Sequence, residues 1–245
     1  MTKNKKTGII GGSGLDNPKL LKNAKVIEVK TPYGKPSDKL STGLLGGKEV
    51  VILARHAKGH NIAPSQIPFR ANIWALKEAG CTHILATTAC GSLKENFKPG
   101  DLVFIDQFID FTRQRALTFF DNEVIHTPMA EPFDLTLRNI LVKAAKTIKV
   151  DYHPKGTMIT IEGPRFSTKA ESIMFQKWGA DLINMSTVPE VTLANELKIP
   201  YQTIAMVTDY DCWREGEEAV SFELILERMQ ENAEKVKRLL IETIA

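Results

Sequence analysis

Short apolar runs that end in small polar residues recur along the chain, and amphipathic stretches with helical spacing separate them. The apolar runs predict strands at Thr7–Ile10, Val50–Leu53, His83–Ala86, Leu102–Ile105, Met158–Ile161, Leu182–Asn184 and Tyr201–Val207. The amphipathic stretches predict helices from about Ser65 to Ala79, over Asp134–Ile148, up to about Trp178, over Val188–Leu197 and from about Ser221. Strands that alternate with helices indicate an α/β fold with a mixed or largely parallel sheet.

One strand–helix–strand unit carries polar residues at both of its strand ends. The first strand runs into Asn184, Ser186 and Thr187, and the second ends at Asp209 and Asp211. We expect so short a unit to bring both ends to the same edge of a parallel sheet, where α/β proteins bind ligands. That edge would carry hydroxyls suited to an anion and carboxylates suited to a hydrogen-bonding base.

Length and composition are typical of one globular domain that covers residues 1–245. Apolar residues make up 43% of the chain and charged residues 25%, and the net charge of +3 is too small to indicate nucleic-acid binding. No apolar run approaches the roughly 20 residues that span a bilayer, and no signal-peptide pattern precedes the first strand. Three cysteines without a CxxC pair favour reduced thiols. We therefore expect a cytoplasmic protein without membrane or nucleic-acid partners.

The glycines after the first strand do not form a dinucleotide-binding fingerprint. A GxGxxG pattern that ended on a glycine three residues after Gly14 would need it at position 17, where Asn17 stands. Two readings stay open, an anion-binding turn that uses the Ser13 hydroxyl and a plain tight turn. His56 and His60 are four residues apart, but no Cys or carboxylate partner is close in the sequence, so we expect no metal site.

Arg55 and His56 follow a predicted strand and are candidates for binding an anion. Arginine matches the oxygens of phosphate with forked donors and keeps its charge. A lone pair of this kind is usually a surface arginine beside a solvated histidine. Hydroxyl residues at three other strand ends, Ser13, Thr87-Thr88 and Ser186-Thr187, favour a phosphate pocket instead.

Phe166 and the two late aspartates allow both a structural and a functional interpretation. Phe166 stands at a strand-to-helix corner, where it would be a core residue or a wall that stacks on a planar ring. Asp209 and Asp211 would be solvated turn residues or, inside a pocket, acids whose pKa is raised enough to donate a proton.

Nine stretches along nearly the whole chain carry a resemblance to one known family. They are Gly11–Leu15, Thr31–Gly34, Ala54–His56, Ala71–Leu76, Thr87–Ser92, Pro128–Phe133, Ile161–Ser167, Asn184–Glu190 and Thr208–Trp213. Together they resemble the trimeric purine nucleoside phosphorylase family, in its branch that acts on 5'-methylthioadenosine. The resemblance implies a mixed, largely parallel twisted central sheet, shaped as a distorted barrel and flanked by helices.

The activity implied by the resemblance is phosphorolysis of 5'-methylthioadenosine to adenine and 5-methylthioribose 1-phosphate, in purine and methionine salvage. The partners would be a nucleoside and phosphate, with phosphate as co-substrate, no metal and no organic cofactor, in a homotrimer. Three alternatives remain open: a broader purine nucleoside phosphorylase acting on adenosine, inosine or methylthioinosine, a water-using hydrolase, and a purine-binding module without turnover.

The resemblance also implies roles for individual residues. Phosphate would be held by Ser13, Arg55, His56, Thr88, the amide of Ala89, and Ser186. The nucleoside would contact Met185 at the ribose, Phe166, Ser167, Asp209 and Asp211 at the purine, and His126 (lent by a neighbouring subunit), Val220 and Phe222 at the 5' end. Asp209 would be the general acid, with Arg55 and His56 also in the catalytic set.

Two of these positions bear on the choice of base. Members that act on 6-oxopurines typically carry Glu where this chain has Ser167, and Asn where it has Asp209. A 6-amino group donates a hydrogen bond and favours a carboxylate, whereas a 6-oxo group accepts one. The resemblance therefore implies adenine as the base.

Overall fold

The computed structural model describes residues 5–11, 20–216 and 221–244. Its strands are β1 (Thr7–Gly11), β2 (Lys22–Ile27), β3 (Leu40–Leu45), β4 (Lys48–Ala54), β5 (His83–Ser92), β6 (Leu102–Phe104), β7 (Gln107–Phe111), β8 (Tyr152–His153), β9 (Thr157–Ile161), β10 (Leu182–Asn184) and β11 (Tyr201–Asp209). Its helices are α1 (Phe69–Glu78), α2 (Leu135–Ile148), α3 (Lys169–Lys177), α4 (Thr187–Glu196) and α5 (Phe222–Ile244). The predicted α/β class is confirmed.

All the described strands belong to one mixed sheet that branches at β5. The main path runs β2-β3-β4-β1-β5-β10-β9-β7, and a second path runs from β5 through β11 and β6 to β8. Most of the strand pairs are parallel, and the antiparallel ones are β2–β3, β3–β4, β5–β10 and β6–β11. The prediction of a mixed, largely parallel sheet is confirmed.

The two paths meet again through the segment that joins β6 to β7. The amide of Ile105 donates to the carbonyl of Thr203 on β11, and the next amide, of Asp106, donates to the carbonyl of Gly156 beside β9. The chain thus passes from the β11 side to the β9 side within two residues. Strands β5, β11, β6, β7, β9 and β10 form a closed circuit, which is the distorted barrel that the resemblance implied.

Helices cover both faces of the sheet. Alternate residues of β5 point to opposite sides, so that both faces carry apolar side chains. Ile84 packs in one apolar cluster with α1 and α4, and its neighbour Leu85 packs in another with α2 and α5. No described helix is long and apolar enough to cross a membrane.

The strand–helix–strand unit β10-α4-β11 is correct in its elements but wrong in its expected geometry. β10 runs antiparallel to β5 and β11 runs parallel to it, so the two strands do not run parallel to each other. Their polar ends still meet, because Ile183 and Asp209 both pair with Gly91 at the end of β5. Hydrophobic runs define strands, but they do not say on which edge of a partner a strand lies.

The other differences from prediction concern the start of α1 and four strands. α1 begins at Phe69 rather than Ser65, since Pro68 precedes it and a short 3-10 turn occupies Pro64–Gln66. The pattern of apolar runs did not indicate β2, β3, β7 or β8, and β2, for example, is a largely exposed edge strand with the sequence KNAKVI. The long connection over residues 113–127 contains no helix or strand.

Candidate active site

A cavity of about 540 Å³ opens where β4, β5, β10 and β11 end and α5 begins. Among the residues singled out in the sequence, its lining includes Arg55, His56, Thr88, Ala89, Phe166, Ser167, Met185, Ser186, Asp209, Asp211 and Phe222. His126 is exposed and does not line this cavity, so its proposed place in a neighbouring subunit stays a prediction. Ser13 and Val220 lie outside the described residues.

Arg55 follows β4 and is held in a buried network on one side of the cavity. Its Nε and Nη2 donate to the two carboxylate oxygens of Glu190, at 2.5 and 3.0 Å, and its Nη1 donates to the carbonyl of Thr87 at 2.7 Å. The Tyr201 hydroxyl donates to the same carboxylate at 2.8 Å. Burial alone would lower the pKa of Arg55, but Glu190 outweighs it and the pKa is raised. The guanidinium therefore stays charged and fixed in orientation.

His56 lies next to Arg55 and is neutral near pH 7. Burial, followed by the positive charge of Arg55, lowers its pKa to about 4. Its Nδ1 lies 2.9 Å from the carbonyl of Ile62, which requires the proton to be on Nδ1 and leaves Nε2 as an acceptor. The ring stacks on His60 with 4.0 Å between the ring centroids.

Hydroxyl groups from β5 and from the turn after β10 meet beside these residues. The Thr88 and Ser186 hydroxyl oxygens are 3.1 Å apart, and both side chains are buried. The side-chain amide of Asn184 donates to the hydroxyls of Thr88, at 3.1 Å, and Thr187, at 2.7 Å. Together with Arg55, these groups give one side of the cavity the donors that an oxyanion requires.

Two buried carboxylates, Asp209 and Asp211, also line the cavity. Asp209 accepts hydrogen bonds from the Thr208 hydroxyl at 2.7 Å and from the amide of Asp211 at 2.8 Å. Burial raises the pKa of Asp209 despite these hydrogen bonds. A Cβ atom at Gly91 would lie 3.0 Å from Asp209 Oδ1, a tight contact that would press on the carboxylate.

Asp211 is oriented by Ser167, whose hydroxyl oxygen lies 2.7 and 2.8 Å from the two carboxylate oxygens and shares its one proton with them. Burial raises the pKa of this carboxyl group as well. Phe166, 38% exposed, borders the same side of the cavity. The arrangement offers a partly exposed aromatic ring beside two acids, which suits a planar heterocycle with hydrogen-bonding edges.

An apolar wall from α5 completes the cavity. Phe222, Ile225, Leu226 and Met229 line it, and their spacing of three, four and seven residues places them on one face of the helix. The sequence pattern indicated this face of α5 but gave no reason to separate cavity-lining residues from core residues.

Comparisons with known proteins identify the family of the chain. A family model described as Phosphorylase superfamily matches residues 6–245. The S-methyl-5'-thioadenosine phosphorylases of Danio rerio and Xenopus tropicalis are 55% and 56% identical to this chain, over 98% of its length and 88% of theirs. The chain belongs to the S-methyl-5'-thioadenosine phosphorylase family.

Solved structures of the family have the same fold. Methylthioadenosine phosphorylase from Schistosoma mansoni in complex with adenine superposes with a TM-score of 0.94 at 45% identity, covering 98% of this chain and 91% of that one. A mutant of the adenosine/methylthioadenosine phosphorylase from the same organism, in complex with methylthioadenosine, gives 0.93 at 44% identity over 98% and 90%. The resemblance found in the sequence is thereby confirmed.

Sequence reasoning missed the residues of this phosphorylase that hold the predicted ones in place. Glu190 and Tyr201 orient Arg55. Asn184, which the sequence placed at a polar strand end without a role of its own, contacts Thr88. The signal that could have indicated a buried role for Glu190 is that it is an acid within the largely apolar helix after Ser186. No group of three or more His, Cys, Asp or Glu side chains within residues 5–11, 20–216 and 221–244 is arranged to hold a metal ion.

Proposed function

We propose that this phosphorylase cleaves 5'-methylthioadenosine with inorganic phosphate and releases adenine and 5-methylthioribose 1-phosphate. The observation that carries the proposal is that Arg55 and Asp209 open onto one cavity, beside the apolar wall of α5. The names of the curated relatives support the same substrate. So does the methylthioadenosine complex of the similar Schistosoma mansoni enzyme.

On the anion side, phosphate is held by Arg55 and the surrounding hydroxyls. The phosphate attacks the anomeric carbon of the ribose as the bond to the base stretches and the sugar gains oxocarbenium character. A guanidinium that is already fixed in orientation by Glu190 stabilises and positions the nucleophile without reorganising. Neutral His56 accepts a hydrogen bond from the P–OH group of the phosphate at its free Nε2.

On the base side, Asp209 acts as the general acid. The departing adenine gains negative charge and leaves more easily when N7 is protonated. Burial raises the pKa of Asp209, which keeps more of the carboxyl group protonated near neutral pH than an ordinary aspartate. General acid catalysis of this kind contributes about 10²–10⁴-fold in rate.

The two carboxyl groups favour adenine over hypoxanthine as the base. The 6-amino group of adenine donates hydrogen bonds, and Asp211, held by Ser167, offers it acceptors. A 6-oxo group would face the same oxygens as a second acceptor and would leave buried polar groups unpaired. Inosine and methylthioinosine are therefore poorer substrates in this proposal.

The wall of α5 favours a methylthio group over a hydroxyl at the 5' position. Phe222, Ile225, Leu226 and Met229 offer no polar side-chain atoms other than the weakly polar thioether of Met229. A 5'-hydroxyl would lose its hydrogen bonds to water there, whereas a methylthio group would bury apolar surface.

Several further features belong to the proposal. The active form is a homotrimer. His126 helps to close the 5' end of a neighbouring subunit's pocket, and Val220 helps to close that of its own subunit. Ser13 joins the phosphate site. No metal ion or organic cofactor takes part, and the products enter purine and methionine salvage.

A cytoplasmic location is supported by Cys81, Cys90 and Cys212, which are all free thiols.

The test is a substrate panel of methylthioadenosine, adenosine and inosine, assayed by release of the base with and without phosphate. We expect methylthioadenosine to be cleaved fastest and only when phosphate is present. Cleavage that continues after phosphate is dialysed out would identify a hydrolase. Equal rates for methylthioadenosine and inosine would refute the assignment of the base.

A further inference from the structure

We infer that Asn184 is a positioning residue that fixes the direction of the hydrogen bonds made by the hydroxyls on the anion side of the cavity. The inference rests on the proposed phosphate site, which Thr88 and Ser186 border. It goes beyond that proposal because it assigns a role to a residue that needs no contact with phosphate.

The side chain of Asn184 is 5% exposed and satisfied on both of its ends. Its Oδ1 accepts a hydrogen bond from the Thr160 hydroxyl at 2.9 Å, which places the Nδ2 amino group toward the cavity. That amino group donates to the hydroxyl oxygens of Thr88 and Thr187. The amide therefore bridges β9, β5 and the start of α4.

The chemistry of the amino group decides what the Thr88 hydroxyl is able to do. An NH₂ group only donates, so the Thr88 oxygen must act as the acceptor in that contact. The single proton of the hydroxyl is then directed elsewhere, and it lies within reach of the carbonyl of Ala89, at 3.0 Å, and of Ser186 Oγ, at 3.1 Å. A phosphate oxygen is a stronger acceptor than either, so the proton would turn to it on binding.

Without this amino group, the Thr88 hydroxyl could donate its proton to any acceptor that took the place of the amide. Asn184 therefore contributes the direction of a hydrogen bond rather than the shape of the cavity. A purely structural asparagine would influence folding stability but not the affinity for phosphate, and this separates the two roles experimentally.

The experiment compares two near-isosteric variants, Asn184→Leu and Asn184→Asp. Leucine removes the donor without adding charge, and aspartate replaces the donor with an acceptor. We expect Asn184→Leu to raise the KM for phosphate about tenfold, the size associated with a hydrogen bond to a charged group. Asn184→Asp should raise it further, while the KM for the nucleoside at saturating phosphate changes less than about twofold.

Asn195→Leu serves as the matched control. Asn195 also donates twice from its amide, to the carbonyls of Pro132 and Val191, but it does not line the cavity. This variant should lower the melting temperature and leave the KM for phosphate unchanged.

The outcomes separate the inference from the proposed function. A wild-type enzyme that works without phosphate would refute the function itself. If the wild type is phosphate-dependent and folded Asn184→Leu keeps its KM for phosphate, the positioning role is refuted. The same holds if only Asn184→Asp is impaired, because added charge alone would explain that result. If Asn184→Leu does not fold, partial activity of Asn184→Ser with a raised KM for phosphate supports the role, and an unchanged KM refutes it.

Discussion

The Arg55 guanidinium and the Glu190 carboxylate form a two-pronged ion pair in which both side chains are at most 3% exposed. The Tyr201 hydroxyl donates to the same carboxylate, so Glu190 is saturated by buried donors. This arrangement uses three of the five N–H groups of Arg55, counting its bond to Thr87, so at most two remain for a ligand. The ion pair thus sets the orientation of the guanidinium that would bind phosphate.

Replacing Glu190 by Gln should weaken phosphate binding, because the carboxylate fixes the guanidinium. We expect the KM for phosphate to rise about tenfold, with adenine binding unchanged, and the free energy of unfolding to fall by roughly 3–5 kcal/mol. The measurements are phosphate saturation curves and urea unfolding. Glu196→Gln on the same helix is the control, since it removes a carboxylate charge that accepts from the amide of Phe119 rather than from Arg55.

A lower KM for phosphate in Glu190→Gln would contradict this account, since it would mean that the carboxylate acts mainly by repelling the anion. If the variant is too unstable to assay, Tyr201→Phe removes one donor from the same carboxylate. It should raise the KM for phosphate in the same direction by a smaller factor.

Replacing Asp209 by Asn should remove the proton donor while keeping the shape of the side chain. We expect kcat to fall by about 10²–10⁴-fold with the KM for phosphate nearly unchanged. Asp151→Asn, at an exposed position, is the control and should behave as the wild type. A wild-type kcat in Asp209→Asn would remove Asp209 from the mechanism.

Replacing Leu226 by Ser should change the preference at the 5' position. The substitution removes apolar surface from the cavity wall, so kcat/KM for methylthioadenosine relative to adenosine should fall by roughly tenfold. Leu224→Ser alters the same helix at a residue that does not line the cavity and should leave the ratio unchanged. An unaltered ratio in Leu226→Ser would place the 5' group elsewhere.

His56 should make folding stability depend on pH in the acidic range. Its pKa of about 4 in the folded chain lies below its usual value of 6.5, so the unfolded chain binds more protons between these values. Stability attributable to His56 should therefore rise from pH 4 to 6.5, by an amount on the order of 2–3 kcal/mol. Urea unfolding in phosphate-free buffer at pH 4.5 and 7 measures it.

The comparison variant for this effect is His56→Gln, which does not titrate. It should show a shallower loss of stability on acidification than the wild type. Equal slopes for the two proteins would mean that His56 is not kept neutral by burial.

Much of the site was predictable because its residues stand at strand ends. Arg55 after β4, Ser186 after β10 and Asp209 at the end of β11 line the same cavity. Thr88 lines it too but was wrongly placed at a strand end, because β5 continues to Ser92 rather than ending at Ala86. The supporting residues were harder to predict, because Glu190 is separated from Arg55 by 135 positions and only packing brings them together. Local periodicity carries no information about such a pairing.

The sequence by itself determined the strands and helices with strong apolar runs, the family, and the residue types available for binding an anion and a base. Only the tertiary structure decided that β10 and β11 lie on opposite edges of β5, that Glu190 holds Arg55 and that α5 walls the cavity. The physical reason is that hydrophobic spacing is a local property, because apolar residues recur about every two residues in a strand and about every three to four in a helix. Strand pairing, barrel closure and buried ion pairs depend instead on contacts between residues far apart in the chain.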